Sequence, residues 1–178
     1  DSTATIDAQV LAFSGSFAGG SVGVSLAGAG AVSVNAIQTT VEAKIVGSSM
    51  LTVGAVTVEA DDNSLIKADA SGAGLGIAAG TVGVSLSMGI SIAENQIGNT
   101  TRALIDDSNI NSSGAVTVDA NSISEIDALS AGAAMSHSGG AVALGAVVVA
   151  ATANNSIENT VVAAITNSGD ELSESIQA

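Results

Sequence analysis

Thr81-Val82-Gly83-Val84-Ser85-Leu86-Ser87-Met88-Gly89-Ile90-Ser91-Ile92 is the stretch on which the fold turns. Every even position carries an aliphatic side chain, and every odd position carries Gly, Ser or Thr. An extended chain sends alternate residues to opposite faces, whereas a helix would scatter the same residues round its axis. The abundance of β-branched residues argues the same way. The segment is therefore predicted to be a strand with one aliphatic face and one nearly bare face. The same alternation occurs sixty residues earlier, with Val22, Val24, Leu26, Val32 and Val34 set between Gly, Ala and Ser.

That offset runs through the chain. Residues 1–60, 61–120 and 121–178 align without a gap until the third copy fails near its end, at Gly169-Asp170-Glu171-Leu172. Its registers include Ile6, Ile66 and Ile126; Gly20, Gly80 and Gly140; Ala43, Ala103 and Ala163; and Ser48, Ser108 and Ser168. The first two copies share 22 of 60 residues, too many for coincidence, so 1–178 reads as one repeat domain with an atypical last repeat. A weaker echo lies inside each copy. Thr5-Ile6-Asp7-Ala8 resembles Thr40-Val41-Glu42-Ala43, and Gly20–Val24 resembles Gly54–Val58, which predicts two coils per repeat. Strands at fixed spacing, with polar turns and no helical segments, predict an all-β chain. Its expected form is a β-solenoid (β-helix) of three 60-residue repeats, about two coils each. Six coils at about 4.8 Å would make a rod of roughly 30 Å. An antiparallel β-sandwich is the alternative.

Beyond the Asn register the hydrophobic phase changes, since Ile37, Val41, Ala43 and Ile45 are odd. A one-residue phase change calls for a bend or bulge, so Asn35, Asn95 and Asn155 are expected to stack as a ladder at a corner. Val22, Val24, Val82, Val84, Val142, Ile37, Ile97 and Ile157 are the expected packing residues, stacked inside the coils. Turns are expected near Gly47-Ser48-Ser49, Asp61-Asp62-Asn63 and Asp106-Asp107-Ser108.

Seventeen acids against three bases give a net charge of -14, which repels phosphate backbones and anionic headgroups and argues against nucleic-acid binding. With no Cys there is neither a disulfide framework nor a thiolate metal site. Charges are absent from Ala8 to Val41, from Ala70 to Ala93 and from Ala128 to Ile157. Two explanations compete for the bare Gly/Ala/Ser face of these stretches. It forms a flat surface for lateral association, or it fills an interior too narrow for larger side chains. A membrane-spanning helix is disfavoured by the period-2 pattern and the lack of aromatic belt residues.

Asp61, Asp62, Asp106 and Asp107 cluster oxygen ligands of the kind calcium uses, although a solvated acidic turn is the plainer reading. No other cofactor is expected. His137 is the only histidine, and its counterparts Phe17 and Ile77 are apolar, so packing or surface placement outweighs catalysis. A β-helix enzyme acting on polysaccharide would want aromatic platforms or bases, and both are scarce. An ice-binding face would want a repeated Thr-x-Thr ladder, yet Thr3-Ala4-Thr5 is followed sixty residues on by Asn63 and Leu65.

Three stretches carry a family resemblance: Val32-Ser33-Val34-Asn35-Ala36-Ile37, Thr40-Val41-Glu42-Ala43-Lys44-Ile45-Val46-Gly47-Ser48 and Gly54-Ala55-Val56-Thr57-Val58-Glu59-Ala60, the last recurring at Gly114–Ala120. Together they resemble repeats of very large secreted bacterial proteins, the filamentous-haemagglutinin-like and leukotoxin-type filamentous adhesins. The resemblance covers nearly the whole chain and marks architecture more than activity. It implies a β-solenoid stalk or fibre at the bacterial cell surface. Because Asp1 is not a start residue, the chain is expected to be a processed product or a fragment. The expected function is thus a structural, non-enzymatic module of an extracellular fibre or adhesin. Its expected partners are copies of itself or adjacent repeats of a longer chain, without a membrane span. A self-polymerising filament subunit is the nearest alternative, ahead of a calcium-dependent or ice-binding module and a polysaccharide-active enzyme.

Overall fold

A computed structural model describes residues 1–52 and 54–168; the end of the third repeat from Gly169 lies outside the described residues. The first circuit of chain is β1 (Ser2–Ala18), β2 (Val22–Ile37), β3 (Thr40–Val46) and β4 (Ser49–Thr52). The second is β5 (Val56–Ala79), β6 (Val82–Ile97), β7 (Thr100–Asp106) and β8 (Asn109–Ser112), followed by β9 (Val116–Gly139), β10 (Val142–Ile157) and β11 (Thr160–Thr166). Pairing joins β1-β5-β9, β2-β6-β10, β3-β7-β11 and β4-β8. Each of these pairings is parallel, and partners lie sixty residues apart, as in Ile6↔Ile66 and Ile66↔Ile126. Parallel strands stacked in register are the arrangement of a β-solenoid, and they exclude the antiparallel sandwich.

Two expectations about the circuit need correction. After β4 the chain returns to lay β5 on β1, so one coil takes sixty residues and a repeat does not hold two. The internal echo relates different sides of one coil, Thr5–Ala8 in β1 and Thr40–Ala43 in β3. Among the described residues three layers stand where six were expected, a rise of about 15 Å at the usual strand spacing. Asp61-Asp62-Asn63, expected as a turn, lies inside the 24-residue strand β5. The turns at Gly47-Ser48 and Asp107-Ser108 do form, and the left-handed backbone they need is held by Gly47 (φ 58), Asp107 (φ 47) and Asn167 (φ 48) in one register. Gly, Asp and Asn are the residues that tolerate it best.

The phase change at the Asn register is not a bend. β2 runs unbroken through Asn35, and odd residues point inward from Gly23 to Ile45. What changes is the size of the inward side chain, because the coil is wide at one end and narrow at the other. In the wide body, Val56, Val58, Ile105 and Ile110 form one core and Ile37, Ile66, Ala68 and Ile97 the next. The interior then tapers through Ala31, Ala70 and Ala93. Beyond them lies a thin fin, in which the inner face of β5 meets that of β6 backbone to backbone. A Cβ placed on Gly72 would run into the carbonyl oxygen of Ile90, and one on Gly74 into that of Met88. Ordinary stacked sheets sit about 10 Å apart; β5 and β6 are closer, and only Gly, Ala and Ser lie between them here.

The bare face therefore fills the narrow interior, and the aliphatic face is outside. Val22, Val24, Val82, Val84 and Val142, expected as interior packing, project from the outer surface of the β2-β6-β10 sheet. Ile37 and Ile97 are buried as expected, while Ile157 occupies their register on the outermost coil and is 48% exposed.

Candidate functional site: intercoil ladders and an apolar fin

Polar side chains inside the coils bond mainly from one layer to the next. Asn35 Nδ2 donates to Asn95 Oδ1 at 2.8 Å, and Asn95 Nδ2 donates to Asn155 Oδ1 at 2.9 Å. A second ladder lies where β2 passes into β3. There the backbone N–H of Thr39 donates to Asn99 Oδ1 (3.0 Å), and that of Asn99 donates to Asn159 Oδ1 (3.1 Å). A third uses hydroxyls, the N–H of Ser48 donating to Ser108 Oγ at 3.1 Å.

The second ladder also holds the buried acid. Asp62 accepts from Thr39 Oγ1 at 3.0 Å, Asn99 Nδ2 at 2.6 Å, Ser64 Oγ at 3.2 Å and Ser122 Oγ at 3.4 Å. Strand alternation sends Asp61 to the opposite face, so the expected 61–62 carboxylate pair does not converge on one ion. Asp106 Oδ1 accepts from Thr166 Oγ1 (2.7 Å) and Asn167 Nδ2 (3.1 Å) of the next layer, beside Asp107. Among the described residues no group of three or more His, Cys, Asp or Glu is placed to hold a metal. His137 is exposed on β9 in register with Ile77.

The fin interior is polar and largely satisfied. Ser85 Oγ pairs with Ser136 Oγ and Ser138 Oγ, Ser87 Oγ donates to Met135 O at 2.6 Å, and Ser91 Oγ donates to Ala70 O at 2.6 Å. Outside, both faces are apolar. Val24, Leu26 and Val142 stand on one sheet; Leu11, Phe13 and Met135 stand on the other. A shallow hollow of about 290 Å³ lies on the second face where Ala73 and Ala133 leave room between Phe13, Leu75 and Met135.

Asn99, Asn159 and Asp62 are the residues whose joint role the sequence did not reveal, because their partners are of different types. Among the described residues no helix is long and apolar enough to cross a membrane. No family model, curated protein or solved structure matches the chain.

Proposed function

We propose that this chain is a structural, non-enzymatic β-solenoid module of an extracellular bacterial fibre or adhesin, in which sixty-residue coils are the unit of length. The supporting observation is the set of ladders running from layer to layer: Asn on Asn, Asn on backbone N–H, and Ser on backbone N–H. Each bonds a side chain of one coil to the equivalent position of its neighbour, so a further coil of the same sequence finds its partners already presented. The resemblance to filamentous adhesin repeats supports placement at the cell surface.

A second reading, a self-polymerising filament subunit, is favoured by the strand order. Among the described residues β1, β2 and β3 form one open parallel edge and β9, β10 and β11 the other, in the same register. Electron microscopy tests both. Two copies of the chain fused in tandem should give a rod longer by about 15 Å than one copy, at roughly 4.8 Å per coil; end-to-end filaments from the single chain would select the second reading. Release of reducing ends from a panel of acidic polysaccharides would contradict a non-enzymatic module.

A further inference from the structure

We infer that the outer face of the β2-β6-β10 sheet in the fin is a docking surface for the same face of a second copy, with the two fins overlapped in opposite directions. This deepens the scaffold reading and rests on it. Val24 and Leu26 are each 66% exposed, and on the far strand Val142 and Leu144 are 61% and 64% exposed. On the central strand Val82 lies between Val22 and Val142, Val84 between Val24 and Leu144, and Leu86 between Leu26 and Ala146. Contiguous apolar surface on this scale marks an interaction site.

Area and charge decide the occupant. From tip to base the fin is ten to twelve residues long, as in Val82 to Ala93. At about 3.3 Å per residue and 4.8 Å per strand, three strands offer roughly 500 Å² per copy. Paired, two copies bury about 1,000 Å², the threshold for specific association. The acids begin at the base, with Asp69 and Glu94 on the central coil. Fins overlapped in the same direction would set two acidic bodies side by side. Opposed fins carry each body past the other's tip, about 35 Å away at the same rise per residue, well beyond the ~8 Å screening length at physiological salt. A two-fold axis through the middle of the fin gives this arrangement and brings Leu86 and Met88 near their own counterparts. Lipid hydrocarbon is the competing occupant. The net charge of -14 sets the chain against an anionic lipid surface.

The native chain lacks cysteine, so Met88→Cys places a single thiol at the centre of the face. Under mild oxidation it should give a disulfide-linked dimer, while Leu75→Cys, on the outer face of the other sheet, should not. In light scattering the parent protein should have twice the 16.9 kDa chain mass. Val84→Glu combined with Leu86→Glu should halve that mass while circular dichroism keeps its strand signature. A parent that stays monomeric at all concentrations, a mass unmoved by the double variant, cross-linking through position 75 instead of 88, or flotation with phosphatidylcholine vesicles would each overturn the inference. A folded monomeric rod would end it without touching the scaffold reading, which polysaccharide cleavage would contradict.

Discussion

Thr101 is out of step with its neighbours. Its register partners on either side are Val41 and Val161, and its Oγ1 is buried without a hydrogen-bond partner. A buried hydroxyl without a partner costs about 1–3 kcal/mol, and valine has the same shape. Thr101→Val should therefore stabilise the fold by about 1–2 kcal/mol. Thermal melts should show a midpoint raised by roughly 2–8 °C for a chain of this size; a lowered midpoint would mean that the hydroxyl is engaged. At this scale the sequence was legible where like residues bond like. Asn35, Asn95 and Asn155 announce their ladder by identity at three positions. Asn99 does not, because its register opens with Thr39, and its acceptor Asp62 has Ser2 and Ser122 as counterparts. Alignment by identity cannot see a bond between unlike residues in different strands.

At the scale of the strand, alternation was legible and its direction was not. Hydrophobic residues usually point inward, which placed Val22, Val24, Val82 and Val84 in the core. In the first two coils of the fin this is reversed because the two sheets are too close for a branched side chain, as the positions of Gly72 and Gly74 against β6 show; on the outermost coil Val147 and Val149 occupy the inward register and are about half exposed. The apparent phase flip at Asn35 is the point where the interior becomes wide enough for Ile37 and Ile97. Two substitutions separate the readings. Gly74→Val must force the sheets apart and should cost about 3 kcal/mol or more, above the usual range for overpacking because it meets backbone. Val84→Ser, half-buried on the outer surface between Val24 and Leu144, should cost the monomer no more than about 1 kcal/mol. Denaturant unfolding of the two variants, the second below its association range, compares them directly. A tolerated Gly74→Val with a costly Val84→Ser would mean that the aliphatic face is inside after all.

At the scale of the whole molecule, the sixty-residue period was plain from residue identity, but the number of coils per period was not. The 34- and 35-residue echoes are real likenesses between strand entries on different sides of one circuit, and similarity alone does not say whether two segments stack or face each other. The account depends on one coil per sixty residues, with Thr57 of β5 beside Thr117 of β9 on the exposed surface. Spin labels attached through Thr57→Cys and Thr117→Cys, measured by electron paramagnetic resonance, test this most directly. A single coil per repeat places the two backbone positions one strand spacing apart, about 4.8 Å, and predicts strong exchange coupling between the labels. Spectra that match the sum of the singly labelled proteins would put at least one further strand between them and contradict the sixty-residue coil.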